Sequence, residues 1–445
     1  MRIDVPATRV RAIFSRLFKA GLHAGDPYGA MLRSARVEKG ALRAGPYRYR
    51  LSDYRRVVAI GAGKATARMA QALERVMGSS LQSGLVVVKY GHGGLTKTIQ
   101  VAEAGHPVPD QEGLHAGRRM LEMAGRLTKD DLLIVLVSGG ASSLLPAPVN
   151  GLTLEDKQRT TQLLLRSGAT IQEMNTVRKH LSSLKGGQLA VATKAHVLTL
   201  LLSDVIGDDI GTIGSGPTAP DDTTFADAWA IVRQYRLDRT IPHSVRRHLL
   251  HGLQGRVRET PTSRSAIFKR VDHYIIGGNS AAVNAVSKGA LNAGLQTMVV
   301  GSTLTGEAKE VAKVFGAMAR EVAIRARPLR RPCCLLAGGE LTVTVSGKGR
   351  GGRAQEFALA AAGEIAGLKD VWIAGFATDG SDGPTDVAGA VVNGNTVAVA
   401  KRKGLDATLA LLQNDAYTFF QTAGGHITTG PTGTNVNDLY LLLAL

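Results

Sequence analysis

The sequence is poor in cysteine, in aromatic residues and in long apolar stretches. Its two cysteines, Cys333 and Cys334, are neighbours in an apolar run. Because neighbours on a strand point to opposite faces, they do not easily chelate one metal or form a disulfide. We therefore expect two core cysteines in a reducing cytoplasm. No apolar run approaches the roughly 20 residues that a membrane-spanning helix needs, so the sequence predicts no membrane segment.

Acidic residues are scarce relative to basic ones. The chain has 54 lysines and arginines against 36 aspartates and glutamates, a formal net charge of +18. Such a charge invites a nucleic-acid hypothesis. The basic residues are scattered, however, with concentrations only around 233–270 and 325–331, and aromatic residues, at 4%, do not interleave with them to stack bases. We interpret the charge as a solvated basic surface, which would also favour an anionic substrate.

The length and the periodicity of the chain predict two α/β domains. A chain of 445 residues is long for a single core. We interpret the basic, amphipathic segment 9–20 as a first helix and not as a targeting peptide. The stretch 252–262 is rich in Gly, Arg, Thr and Ser and weakly periodic. A junction placed there gives domains at 1–250 and 263–445.

Apolar runs typical of buried strands alternate with helical patterns in both predicted domains. This alternation predicts a mainly parallel, doubly wound sheet with helices on both faces in the first domain. A second α/β sheet follows, which the C-terminal run is expected to close. The strand-like runs are 57–60, 85–88, 132–137 and 198–202 in the first domain, then 274–276, 298–300, 335–336, 341–345, 371–377 and 439–445.

Glycine-rich turns follow several of these strands. Gly61-Ala62-Gly63-Lys64 lies between a strand and a helix predicted at 64–77. Such a turn aims free backbone N–H groups and the helix dipole at one point, and Lys64 in the first helical turn adds a charge. The motif lacks both the Walker pattern and the third glycine of a dinucleotide fingerprint. Tight strand–helix packing explains the glycines equally well.

Small and basic residues follow the next strand. Ser138-Gly139-Gly140 occupies the carboxyl end of its strand, where open α/β sheets bind ligands, although a plain helix cap is an equal alternative. Arg178 and Lys179 could hold a carboxylate or a phosphate, Arg178 with two hydrogen bonds, unless they form a solvated helix face. We interpret the adjacent His180 as a surface or packing histidine.

Carboxylates and small residues gather after the strand at 198–202. Asp204 follows it directly, and Ser215-Gly216 comes shortly after. Carboxylates close to cationic phosphate sites suit Mg²⁺ or a hydroxyl nucleophile, while turn formation is the competing interpretation.

The second domain repeats this arrangement. Gly347-x-Gly349-x-x-Gly352 matches the dinucleotide pattern and opens a helix, but the strand before it alternates Thr and Val instead of being uniformly apolar. Basic residues in the loop, with Arg353 after it, favour dense negative charge instead. Glu340, Thr378-Asp379 and Asn435 lie in further polar loops. Turns explain each loop alone, but a shared ligand site explains them together.

These ordered motifs resemble the glycerate 2-kinase family, whose C-terminal part is the MOFRL domain. The likeness runs from about residue 9 to residue 445. Family members usually carry Asn and Leu where this sequence has Ala354 and Phe357. The motifs that carry it are Gly61-Ala62-Gly63-Lys64-Ala65, His106-Pro107-Val108-Pro109-Asp110, Ser138-Gly139-Gly140, Asn175-Thr176-Val177-Arg178-Lys179-His180, Ser203-Asp204, Ser215-Gly216-Pro217-Thr218, Gly338-Gly339-Glu340, Gly351-Gly352-Arg353, Thr378-Asp379-Gly380 and Gly430-Pro431-Thr432-Gly433-Thr434-Asn435.

The resemblance implies an N-terminal Rossmann-like domain, a C-terminal MOFRL-type α/β domain and Mg²⁺-dependent transfer of the ATP γ-phosphoryl group to the 2-hydroxyl of D-glycerate. It implies that Lys64 and Arg353 stabilise the transferring phosphoryl group and that Asp204 lies near the hydroxyl. Substrate or phosphate would meet Gly61, Gly63, Ser138, Gly139, Gly140, Arg178, Lys179, Ser215 and Gly216. The nucleotide would meet Glu340, Gly351, Gly352, Thr378, Asp379 and Asn435, and the metal would meet Asp204, Glu340 and Asp379.

Two other functions compete with this expectation. A nicotinamide-dependent hydroxypyruvate reductase would need a complete dinucleotide fingerprint with an acidic residue about 20 positions later. A nucleic-acid-binding protein would need a localised basic stripe. We expect a cytoplasmic monomer or homodimer that binds neither nucleic acid nor membrane.

Overall fold

The chain forms two compact units that divide it differently from the predicted domains. The computed structural model describes residues 1–445. The central unit comprises Pro27–Ile276, and the terminal unit comprises Met1–Asp26 together with Gly277–Leu445. The junction predicted at 252–262 therefore lies inside the central unit. The first elements of the chain, β1 (Arg2–Ile3) and α1 (Thr8–Gly25), belong to the terminal unit.

Aromatic packing explains why the first helix belongs with the C-terminal part of the chain. In α1, Phe14 and Phe18 are fully buried. Phe18 stacks on Phe376 with the ring centroids 4.3 Å apart. Burial of a phenylalanine stabilises by roughly 2–3 kcal/mol, which fixes this helix to the terminal unit. Segment 9–20 is thus part of a folded helix, as predicted.

The central unit is built on a six-stranded sheet with the order β10-β9-β8-β5-β6-β7. The pairs β5–β6, β5–β8, β6–β7 and β8–β9 are all parallel. A small antiparallel sheet is formed by β2, β3 and β4. The elements are α2 (Pro27–Ser34), β2 (Ala35–Glu38), β3 (Ala41–Ala44), β4 (Tyr47–Arg50), β5 (Arg56–Ala62), α3 (Thr66–Met77), β6 (Ser83–Lys89), β7 (Ile99–Ala104), α4 (Gln111–Gly125), β8 (Asp131–Ser138), α5 (Ala141–Leu144), α6 (Leu154–Arg166), α7 (Ile171–His180), α8 (Gln188–Ala192), β9 (His196–Leu202), α9 (Phe225–Gln234), α10 (His243–Leu253) and β10 (Val271–Gly277).

Both faces of this sheet are covered, which is why its central strands are largely apolar. Alternate residues such as Val58 and Ile60 pack with Met120 of α4 in one core. The intervening Val57 and Ala59 are buried as well. Continuous apolar strands are typical of parallel sheets with helices on both faces. The predicted doubly wound sheet is confirmed.

The terminal unit contains a mixed seven-stranded sheet with the order β1-β15-β14-β13-β16-β12-β11. In this sheet β11 and β12 are parallel, and all other neighbouring strands are antiparallel. The further elements are α11 (Asn279–Leu291), β11 (Gln296–Leu304), α12 (Ala308–Arg325), β12 (Cys333–Gly339), α13 (Arg353–Glu364), β13 (Val371–Ala377), β14 (Gly389–Asn393), α14 (Thr396–Arg402), α15 (Ala407–Leu412), α16 (Ala416–Ala423), β15 (His426–Thr428) and β16 (Asp438–Ala444).

Three strand predictions for the second sheet need correction. The C-terminal strand β16 lies inside the sheet, between β12 and β13, and does not close it. Residues 274–276 belong to β10 of the central sheet. Residues 341–345 form no strand, apart from one isolated bridge between Thr342 and Glu307, because the chain leaves the sheet after Gly339.

The two cysteines lie on β12, unpaired and fully buried, in agreement with the predicted core role. No helix of the chain combines the length and the apolar character needed to cross a membrane.

Candidate active site

The turn after β5 uses its backbone N–H groups within the protein. The amide of Lys64 donates to the carbonyl of Gly139 at 2.8 Å, and the amide of Ala65 donates to Ser138 Oγ at 3.1 Å. Gly63 donates to Val87 at 3.0 Å. The predicted cluster of free N–H groups is therefore wrong for this turn, because its amides bind the neighbouring β6 and β8 segments.

The glycines of this turn are explained by close strand contact. A Cβ atom on Gly61 would lie 2.2 Å from the carbonyl oxygen of Leu136, and one on Gly63 would lie 2.1 Å from Ser138 Oγ. Real Cβ atoms do not approach so closely, so both positions require glycine. Their contact with phosphate stays a prediction. Lys64 lies two residues before α3, in the turn itself and not in the first helical turn.

The loop after β8 differs from the Lys64 turn in its backbone amides. The N–H groups of residues 139–142 donate to no backbone carbonyl outside their own helix. Gly140 has φ of +86°. A Cβ atom there would lie 2.9 Å from the ring of His106 and 3.3 Å from Cγ of Lys64. A side chain on Gly140 would therefore fill the space between the two groups that border this loop.

His106 was not singled out as a site residue in the sequence, although it lies in a family motif. Partial burial, reinforced by the positive charges of Lys64 and Lys89, lowers the pKa of His106 to about 4. The imidazole is therefore neutral at physiological pH and adds no charge beside Lys64. The residues next to His106 in the sequence did not indicate a site, because only the fold brings His106 to the Gly140 loop.

The carboxylate of Asp204 lies over the same loop. A Cβ atom on Gly139 would lie 2.0 Å from Asp204 Oδ2. Asp204 follows β9, the neighbour of β8 in the parallel sheet, and the carboxyl ends of such strands meet at one edge. The structure therefore brings together Lys64, Ser138, Gly139, Gly140 and Asp204, as the sequence predicted.

A hydroxyl and amide network extends from this loop to α7. Ser142 Oγ lies 2.7 Å from Ser215 Oγ and accepts a hydrogen bond of 2.5 Å from the Arg178 guanidinium. Ser215 donates to Asn175 Oδ1 at 3.0 Å. Ser215 has φ of +62°, an uncommon value for a residue with a side chain, between two glycines that share the left-handed conformation. Such strain persists where the surroundings over-determine it and concentrates at functional sites.

Two predicted substrate residues have structural partners. Lys179 forms a nearly buried ion pair with Asp221 at 3.3 Å, and Asp221 also accepts a hydrogen bond from Thr260. The carbonyl of Gly216 accepts from the amide of Gly187 at 2.8 Å. His180 is buried with its ring nitrogens on Thr176 and Glu259, as expected for a packing histidine.

The terminal unit contains a separate open pocket of about 770 Å³. Its lining includes most of the predicted nucleotide-contacting residues, namely Glu340, Gly351, Gly352, Asp379 and Asn435, together with Arg353. Thr378 is the exception, since it is buried with its hydroxyl on the carbonyl of Asn437 at 2.6 Å.

Arg353 is held by two carboxylates in this pocket. Its guanidinium donates to both oxygens of Asp438, at 2.5 and 3.2 Å, and to Glu340 at 2.5 Å. The second Glu340 oxygen accepts from Asn437 at 3.0 Å. Burial raises the pKa of Asp438 to about 7, while the charge of Arg353 opposes this rise. The sequence did not indicate Asp438, because 85 residues separate it from Arg353.

An internal carboxylate occupies the start of α13. Asp382 accepts hydrogen bonds from the backbone amides of Ala354 at 3.0 Å and Gln355 at 2.8 Å, and from the Gln355 side chain at 2.9 Å. It is almost completely buried. A helix N-terminus favours an anion, and here the protein supplies that anion itself.

The glycines of the formal dinucleotide motif before α13 pack closely against other protein atoms. A Cβ atom on Gly347 would lie 2.2 Å from the carbonyl of Gln413, and one on Gly352 would lie 2.3 Å from Asp382 Oδ1. Since the glycines face protein and the helix amides bind Asp382, this loop lacks the open amides that bind a pyrophosphate.

Two family models match the chain. The domain of unknown function DUF4147 matches residues 13–250, and the MOFRL family matches residues 333–438. The glycerate 2-kinase of Pyrococcus horikoshii is 40% identical, over 98% of this chain and 98% of that protein. The D-glycerate 2-kinase of Thermotoga maritima is 41% identical, over 87% of this chain and 90% of that protein.

A crystal structure of glycerate kinase from Thermotoga maritima has a TM-score of 0.88 and 37% identity, covering 98% of this chain and all of that one (100%). A relative from Agrobacterium vitis, 40% identical over 97% of this chain and 94% of its own, carries the name hydroxypyruvate reductase only provisionally.

Proposed function

This chain belongs to the glycerate 2-kinase family, and we propose that it transfers the γ-phosphoryl group of ATP to the 2-hydroxyl of D-glycerate. The products are 2-phosphoglycerate and ADP. The observation that carries the proposal is the loop at the end of β8, where the cation Lys64, the carboxylate Asp204 and backbone amides that donate to no carbonyl lie together.

Each of these groups has a task in phosphoryl transfer. The 2-hydroxyl oxygen forms a bond to the γ-phosphorus while the bond from that phosphorus to the ADP oxygen breaks. The hydroxyl proton leaves to a carboxylate, for which Asp204 is the candidate. Lys64 and the amides of residues 139–142 neutralise charge on the phosphoryl oxygens. Little covalent chemistry is asked of the protein, because positioning and charge neutralisation provide most of the acceleration.

We assign the nucleotide to the pocket of the terminal unit. Its lining carries Asp379 and Asn435, whose side chains can contact ribose or phosphate, and the glycines at 351 and 352, of which Gly352 also packs against Asp382. Arg353 donates three hydrogen bonds to Asp438 and Glu340. A guanidinium has five N–H donors, so two are left for a phosphate. Thr378 supports this site from within the core.

The carboxylates fit a Mg²⁺ ion that arrives with the nucleotide. The chain contains no group of three or more His, Cys, Asp or Glu side chains arranged to hold a metal by themselves. Mg²⁺ in kinases is held by one or two carboxylates and by substrate phosphates, so Asp204 or Asp379 could supply an oxygen. Both oxygens of Glu340 are already used by Arg353 and Asn437. When bound, the ion would neutralise charge on the transferring group.

The test uses purified protein with D-glycerate, ATP and Mg²⁺. We expect ADP to form only when all three are present, and phosphorus NMR should identify 2-phosphoglycerate and not the 3-isomer. A parallel reaction contains hydroxypyruvate and NADH, whose absorbance should not change. NADH consumption without ADP formation from D-glycerate would refute the kinase proposal in favour of the reductase.

A further inference from the structure

Three cationic side chains lie close together in the central unit, two of them buried and one partly buried. Lys157 of α6 and Lys185, which precedes α8, are only 7% and 2% exposed. The third is Arg178 of α7. Burial, reinforced by the charge of Arg178, lowers the pKa of Lys157 to about 7. Burial and the charges of the other two hold the pKa of Lys185 well below its usual range. These three residues are called the cation cluster below.

No carboxylate of the protein balances the cation cluster. The ammonium of Lys157 is buried without any hydrogen-bond partner. Lys185 donates to the carbonyl of Leu145 at 2.6 Å, and Arg178 donates to Ser142 Oγ at 2.5 Å. These oxygens are neutral. Burying an unpaired charge costs several kcal/mol, which is why the pKa values of both lysines are lowered. An anion bound at the cation cluster would stabilise the charged forms of both side chains.

Other buried charges of this unit do have partners. Lys179, one residue after Arg178, is paired with Asp221. Asp131 is fully buried and binds both Arg55 and Arg56. Lys179 and Asp131 therefore have charged partners that the cation cluster lacks. The partly buried Arg270 also donates only to backbone carbonyls, but it differs from the cation cluster in donating to three of them.

We propose that the cation cluster binds the carboxylate of the acceptor substrate, with Lys157 and Arg178 as its main partners. This inference rests on the proposed function for the identity of the acid. Arg178 keeps N–H donors beyond the one on Ser142 and can hold a carboxylate with two hydrogen bonds. Lys157 supplies a second charge.

The position of Ser142 explains why the cluster would receive the carboxylate and not the phosphoryl group. Ser142 contacts Arg178 and lies two residues beyond Gly140, at which Lys64 and His106 meet. In a 2-hydroxy acid, the hydroxyl carbon is bonded directly to the carboxylate carbon. An acid anchored at Arg178 would therefore direct its 2-hydroxyl towards the Gly140 loop and Asp204.

The experiment measures binding by calorimetry in the presence of Mg²⁺ and ADP, so that no transfer occurs. Wild-type protein should bind D-glycerate but not glycerol, which keeps the hydroxyls and lacks the carboxylate. The Lys157→Met variant, which keeps the length and removes the charge, should weaken D-glycerate binding at least tenfold and leave ADP binding unchanged. Lys185→Met is the second variant, and Lys194→Met, at an exposed lysine of the same unit, is the matched control.

Each outcome decides the proposal separately from the kinase function. Equal binding of glycerol and D-glycerate by the wild type would overturn it without any variant. D-glycerate binding by Lys157→Met at the wild-type level would overturn it too, even if the wild type forms ADP. If Lys157→Met loses D-glycerate binding while the wild type forms no ADP, the carboxylate site stands and the proposed reaction fails.

Discussion

Arg353 of the terminal unit and the cation cluster of the central unit differ in the partners that balance their positive charge. In the terminal unit, Arg353 is balanced by Asp438 and Glu340. In the central unit, Lys157, Arg178 and Lys185 have only neutral partners or none. A positive charge paired with a carboxylate is compatible with a structural role, whereas an unpaired positive charge is available to bind an anionic ligand. The comparison therefore sets Arg353, which supports the fold and keeps two N–H donors for the proposed phosphate contact, against cations whose charge the protein leaves unpaired.

The same contrast applies to backbone amides. At the start of α13, the backbone amides of Ala354 and Gln355 donate to Asp382 and are therefore not available to a ligand. The amides of residues 139–142 donate to no backbone carbonyl outside their own helix. We therefore place the phosphoryl-binding amides in the central unit, and the glycine-rich sequence before α13 in the framework of the terminal unit.

The largest expected effect is on turnover. Lys64 forms no ion pair, so Lys64→Ala should lower kcat by about 10²–10³, the scale for losing one preorganised donor, with Tm unchanged. Arg353→Ala should lower both kcat and Tm, because it leaves Asp438 buried without its partner. Steady-state kinetics and thermal unfolding of both variants test this, with Lys194→Ala as the exposed control. Full activity of Lys64→Ala would end its proposed role.

A smaller effect separates the two acidic residues of one loop. Asp382→Asn should destabilise the terminal unit by about 1–3 kcal/mol, because an amide cannot accept the hydrogen bonds that both oxygens of the carboxylate receive. Asp379→Asn, at an exposed position, should keep the wild-type Tm and raise the KM for ATP. Thermal unfolding and ATP titrations distinguish them. Equal Tm values for the two variants would contradict the structural role of Asp382.

The smallest predicted effect is on the pH dependence of stability. The folded pKa of His106 is about 4, below the unfolded value of about 6.5. Between these values the unfolded chain binds a proton that the folded chain does not, so stability falls as the pH drops through this window.

His106→Gln should therefore lose about 1–3 °C less in Tm between pH 7.5 and 5 than the wild type. The exposed His115→Gln serves as the control. If His106→Gln and the wild type lose the same Tm on acidification, the Lys64 loop does not keep His106 neutral.

The fold was largely predictable because its strands carry a strong signal. β8 is apolar over nearly its whole length, and such runs indicate strands buried on both faces, whether they are parallel like β8 or antiparallel like β16. The alternating segment 341–345 was mistaken for a strand, since alternation alone does not show that hydrogen-bonding partners exist on either side. The packing of α1 on the C-terminal half was also beyond prediction, because it depends on contacts far apart in sequence.

The site residues that follow strand ends could be predicted from the sequence. Ion pairs between residues far apart along the chain could not. Lys64, Gly139 and Asp204 meet because parallel strands end at one edge. The partners of Arg353 and Lys179 could not be read from local sequence. Lys157 gave no signal either, since a lysine in a polar helix is ordinary until the structure shows that it is buried and unpaired.

The most direct test of the contrast between the units is the sign of two changes in Tm, measured without ligand in a buffer free of phosphate, sulfate and carboxylate ions. Lys157→Met removes a buried charge that has no partner and should raise Tm or leave it unchanged. Arg353→Met leaves Asp438 unpaired and should lower Tm by roughly 5–10 °C, from a cost of about 3 kcal/mol. A large fall in Tm for Lys157→Met, equal to that for Arg353→Met, would contradict the account.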